Sequence, residues 1–149
     1  MVGDAKLMGF YTSYKDVFDA VKAAIETKSS IKSVLLGEQF TLGQLPKAVI
    51  NALPSQISQE TLGELLEVKV NFSVILVINE YQPKDWFQDI IAVMADVVDA
   101  VLADRTLGGK VADVIPTSFA PGEIKFENKL FYGGEIRFQA VLYHSQSQN

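Results

Sequence analysis

The sequence predicts an α+β domain: a mainly antiparallel, twisted sheet of five or six strands with two helices packed on one face. Two stretches, 13–28 and 83–104, repeat apolar residues at helical spacing, and the segments around them place apolar residues at every second position. The expected order is α-β-β-β-α-β-β-β. The length of 149 residues, 48% of them hydrophobic and 21% charged, fits one core. The expected division is an arm at 1–12, a core at 13–144 and a polar tail at 145–149.

The first helix is expected from Ser13 to Lys28. Ser13 can cap it with Asp16 three residues on, a capping box that uses Asp in place of Glu or Gln. Tyr14, Val17, Phe18, Val21, Ala24 and Ile25 line one side. Lys15, Asp19, Lys22 and Glu26 line the other, where Asp19–Lys22 and Lys22–Glu26 pairs are expected. Ser29-Ser30 ends the helix. Short strands follow at Ile31–Leu36 and Ala48–Leu53, joined by a loop through Gly37 and Gly43, and Pro54–Glu60 reads as an exposed polar loop.

The longest strand signal runs from Leu66 to Glu80. Leu66, Val68, Val70, Phe72, Val74, Leu76 and Ile78 share one face; their neighbours are wet up to Ser73, then apolar at Ile75 and Val77. Usual strands have about five or six residues, so one this long implies a bulge or a projecting hairpin. The second helix, Pro83 to Asp104, opens with proline and with Asp85 at the positive end of its dipole. Trp86, Phe87, Ile90, Met94, Val97 and Val101 belong to its wide apolar stripe, and Asp89, Asp96 and Asp99 lie opposite. After a stop at Gly108-Gly109 come strands at Val111–Ile115, Glu123–Glu127 and Glu135–His144. Pro121-Gly122 is expected as a turn and Gly133-Gly134 as a bulge.

Composition excludes several classes. No apolar run reaches the ~18–20 residues of a membrane helix, and the start lacks a signal-peptide pattern, so a soluble intracellular protein is expected. With no Cys there is no disulfide, thiolate metal site or cysteine nucleophile. Residues 51–100 hold two Lys against eight acids and so carry more than the whole net charge of -5, while mean hydropathy is nonetheless +0.17. Two Arg and dispersed Lys disfavour gripping of nucleic acid, which rests on clustered cations.

Catalytic constellations are lacking. His144 is the one histidine, expected at or near the surface at a strand end. Gly108-Gly-Lys-Val departs from a phosphate loop in spacing and in lacking Ser or Thr after the Lys. Asp85 and Asp89 read as the wet side of a helix. No catalytic, cofactor or metal residue is assigned, and no enzyme is expected.

Packing is more informative. Two helices cover one sheet face, leaving Ile75, Val77, Val141 and Tyr143 on the other. These four are the candidate subunit interface, with loops 37–47 or 54–62 as the alternative cover.

The order of elements, from Ser13 to His144, resembles the tail terminator (tail completion) proteins of long-tailed phages and related viruses. Leu45-Pro-Lys-Ala-Val-Ile, Leu107-Gly-Gly-Lys-Val and Phe131-Tyr-Gly-Gly-Glu-Ile-Arg-Phe are the segments that carry the likeness. The resemblance implies a virion protein assembled in the host cytoplasm, without catalysis or cofactor. Its subunits would form a hexameric ring capping the tail tube and joining it to the head connector. Partners would be further copies of the chain, the tube protein and the head-completion protein, with DNA passing through and no membrane involved. Glu60, Glu64, Glu67, Asp96 and Asp99 are the candidate lumen-facing acids. A neck or tube subunit is the nearest alternative. From another class, a small dimeric ligand-binding domain would enclose a pocket lined by Phe72, Phe126, Phe138 and Trp86.

Overall fold

The computed structural model describes residues 9–37, 44–59, 65–80, 86–126 and 128–145. Two helices, α1 (Phe10–Glu26) and α2 (Trp86–Leu102), lie over one face of a six-stranded sheet. The strands are β1 (Ser33–Leu36), β2 (Lys47–Ala52), β3 (Gln56–Gln59), β4 (Leu65–Glu80), β5 (Asp113–Phe126) and β6 (Lys129–Ser145). They run β1-β2-β4-β6-β5 across the sheet, and β3 pairs with β4 on the β2 side. Only β1–β2 is parallel. The expected α+β architecture is the one observed.

The core follows from period two meeting period 3.6. Val68, Val70, Phe72, Val74 and Leu76 of β4 are fully buried, as are Val17, Val21 and Ile25 of α1 and Ile90, Met94, Val97 and Val101 of α2. Phe72 stacks on Phe138 at 5.2 Å and meets Phe18 edge-on at 5.8 Å, while Trp86 stacks on Tyr132 at 4.3 Å. Such pairs each add about 0.5–1.5 kcal/mol beyond area burial. Phe72 and Phe138 therefore fill space against each other; the Phe126 side chain lies outside the described set.

Several local expectations are corrected. α1 starts at Phe10 with Gly9 at the cap and no side-chain cap bond. Ser13 sits inside the helix, its Oγ 3.2 Å from His144 Nδ1. The wet-face pairs are Lys15–Asp19 and Lys22–Glu26; Asp19 reaches back four residues instead of forward three. The expected loop at Pro54–Glu60 contains β3, whose four residues are all exposed and so show no alternation. β5 runs straight through Pro121-Gly122, and the chain reverses beyond it, where Asn128 has φ 65° and Phe126 pairs with Lys129. The bulge expected at Gly133-Gly134 is in the partner strand, between Val77 and Asn79. Gly133 is still required there, because a Cβ would overlap the Leu76 carbonyl.

Candidate functional site

The face of the sheet turned away from the helices can be mapped from strand register, since directly paired residues point the same way. Along β4 and β6 it reads Glu67–Tyr143, Lys69–Val141, Asn71–Gln139, Ser73–Arg137, Ile75–Glu135 and Val77–Gly133. The four interface candidates thus divide into two islands. Six residues of strand, roughly 20 Å, separate Ile75 from the row of Val141. Polar rows lie between them, including a Gln139 Nε2 to Asn71 Oδ1 hydrogen bond of 3.0 Å. Alternation in sequence assigns a face but carries no register, so the split was invisible there.

The islands also differ in exposure. Val77 is only 4% exposed and its neighbours Val49 and Lys47 are 6% and 2% exposed, so the chain itself closes this end and Val77 is not an open interface residue. Ile75 is half-buried beside Val49. The other island is open. Tyr143 is 47% exposed, Val141 is half-buried, and Ile115 of β5, which the sequence reading missed, is 41% exposed. Ile115 was legible in principle, as an apolar residue two along from the wet Asp113 in a strand near the sheet edge.

Charges around the open island are largely satisfied. The Tyr143 hydroxyl donates to Glu67 Oε2 at 3.2 Å. Asp113, paired with Val141, accepts from Arg105 Nε and Nη2 at 2.8 and 2.7 Å. The Arg105 guanidinium, with help from the Val114 N–H, holds the Asp113 carboxyl below its ordinary value.

The candidate lumen acids do not gather on one surface. Glu60 and Glu64 lie outside the described residues. Glu67 is on the open face of the sheet, whereas Asp96 and Asp99 belong to the helix layer on the opposite side. Asp96 accepts a 2.7 Å hydrogen bond from Ser30 Oγ, and Asp99 is exposed. The reason is geometric: the wet positions of β4 face away from the helices, and those of α2 face away from the sheet. α2 carries Asp89, Asp96 and Asp99 and no Lys or Arg.

Two minor motifs gain a physical account. His144 is 8% exposed, with its ring edge-on to Phe10 at 5.6 Å, and joins the start of α1 to the end of β6. In the Gly108-Gly-Lys-Val turn the Gly108 N–H donates to Asp104 Oδ2 at 2.9 Å. A carboxylate of the chain therefore stands where a phosphate would need to sit. The Thr106 hydroxyl, then the Thr106 and Gly108 N–H groups, hold Asp104 below the ordinary carboxylate value.

Among the described residues no three His, Cys, Asp or Glu side chains group to hold a metal, and no helix is long and apolar enough to cross a membrane. Of the segments that carry the family likeness, Lys47–Ile50 lies in β2, Leu107–Val111 follows α2, and Phe131–Phe138 lies in β6. No known family model matches the chain, and no curated protein matches it either.

Proposed function

We propose that the chain is a virion structural protein, a tail terminator whose copies form a hexameric ring on the end of the tail tube and join it to the head connector. The observation that carries this reading is where the exposed apolar side chains fall. Tyr143 and Ile115 are on the open face, Tyr11, Leu36 and Ile57 along one side of the sheet, and Phe119 on the opposite edge strand. A two-fold dimer needs one self-complementary patch. A ring subunit held between a tube and a connector needs separate contacts for two neighbours and for the structures above and below. The segment order that resembles tail terminators supports the same reading.

The acidic helix α2 is the surface we assign to passing DNA. Three aspartates on a helix that carries no Lys or Arg disfavour phosphates, which suits a channel through which DNA must slide. Light scattering with native mass measurement across concentration tests the reading. A hexamer, or a monomer that becomes a ring on isolated tube ends, is expected. A monomer under all these conditions, or a dimer that goes no further, overturns it.

A further inference from the structure

One apolar row crosses the whole sheet on its helix side: Leu36, Ile50, Val74, Ile136 and Phe119, each paired with the next. The three interior members are 2% exposed or less, while the two ends, Leu36 and Phe119, are 36% and 41% exposed. Natural sheets usually finish their edges with charge, proline or a bulge. Here Pro116, Pro121 and the bulge between Pro116 and Ser118 guard much of β5, but the residues between the bulge and Pro121, 118–120, remain an unguarded window of three. β1, the strand at the other edge, is four residues long and carries neither proline nor charge. Beside it lies a 340 Å³ groove lined by apolar groups including Tyr11, Tyr14, Phe18 and Leu36.

We propose that β5 of one copy docks on β1 of the next, with Phe119 entering the groove beside Leu36; this rests on the ring reading and names the surfaces that close it. The strand directions agree: β1 and β5 run oppositely within a chain, so extending the sheet unshifted into a second copy makes an antiparallel junction. Keeping Phe119 opposite Leu36 then sets Ala120 opposite Leu35, places Pro121 opposite Val34, where its nitrogen can give no ladder bond, and puts Glu123 opposite Lys32, two exposed side chains of opposite charge. Exposed apolar area meets part of what such a junction needs. Tyr11, Leu36 and Ile57 on one side, and Phe87, Ile115 and Phe119 on the other, are 36–74% exposed. With large side chains offering roughly 150–250 Å² each, about 300 Å² of apolar surface is available per side. A standard interface of about 800 Å² per partner, a little over half of it apolar, needs about 450 Å². The contact is heterologous, so it propagates from copy to copy and makes a ring when the rotation between copies closes.

The absence of cysteine makes the test clean. In the double variant Leu36→Cys/Phe119→Cys the two thiols of one chain are four strand spacings apart, roughly 19 Å. That is beyond the ~7 Å limit on Cα separation for a disulfide, so only neighbouring copies can be joined. Oxidation of assembled protein is expected to give a covalent ladder ending at the ring. Lys32→Glu and Glu123→Lys should each weaken assembly at least several-fold at low salt, and the double exchange should restore it, a rescue that a folding defect would not give. A ring that forms normally but yields no ladder and ignores both charge reversals overturns the edge junction while leaving the ring reading intact. A wild-type chain that never assembles, in solution or on tube ends, overturns both.

Discussion

The two faces of the sheet are made by the same strands and have opposite constitutions. On the helix side, alternate residues of β4 and β6 are buried without a polar interruption from Val68 to Leu76 and from Ile136 to Ala140. On the open side, β4 reads acid, cation, amide, hydroxyl and only then aliphatic, β6 reads acid, cation, amide and then aliphatic and aromatic, and burial is patchy. The helix side fixes the fold; the open side and the edges are left free for contacts. Mutations should therefore separate stability from assembly along this division.

The largest effect is expected from Phe72→Ala, which removes a fully buried ring that touches Phe138 and Phe18. Denaturant unfolding should show a loss of about 3–5 kcal/mol. Gly133→Ala comes next, because its new Cβ meets the Leu76 carbonyl, which is backbone and cannot swing aside. A loss of about 1–3 kcal/mol is expected from such overpacking, measured the same way. If this open-face glycine proved silent, the idea that the bulge holds the strands in close approach would fail.

Tyr143→Ser, by contrast, should move unfolding stability by no more than about 0.5 kcal/mol, as exposed sites generally do. A large destabilisation would show that the open island is part of the core. The smallest effect concerns acid. Asp104 and Asp113 are both held below the ordinary aspartate value of 3.8, so each favours the folded state fully above that pH. That contribution drains away as pH falls through their lower folded values. Thermal melts of Asp104→Asn and Asp113→Asn should therefore converge on wild type in acid and lie slightly below it near neutral pH. A gap that widened in acid would reverse the sign and refute the assignment.

Legibility from sequence followed the same division. Both helices, β4 and β6 were readable because burial on one side imposes a period on the residues, and β2 was readable as a short apolar run after Pro46. β3 was not, since Gln56 to Gln59 bury nothing and pair only with the wet start of β4. The turn expected at Pro121-Gly122 failed because an edge strand tolerates proline, having one side with no ladder to supply. The start of α1 was misplaced because Ser13 and Asp16 made a plausible cap, whereas the Ser13 hydroxyl lies against His144, a residue 131 positions away. Of the candidate interface, the face of each residue was legible but the register was not, so Ile75 and Val141 looked like neighbours. Leu36 and Phe119 were missed altogether, because exposure at a sheet edge depends on strand order, which no local pattern encodes, and Tyr11 was missed because the helix was expected to start only at Ser13.

The central position of β6 has a consequence for how the protein is made. β6 lies between β4 and β5, yet it follows every other described strand. Until it emerges from the ribosome, β4 has one open flank, β5 has no partner among the described strands, and Phe72 has no Phe138 to stack on. The nascent chain must hold β4 with one flank open until β6 is available, so completion of the sheet waits for the last described strand. Contacts this distant in sequence also make for slow closure. A chain arrested within β6 should be a substrate for chaperones and proteases rather than a partly working subunit.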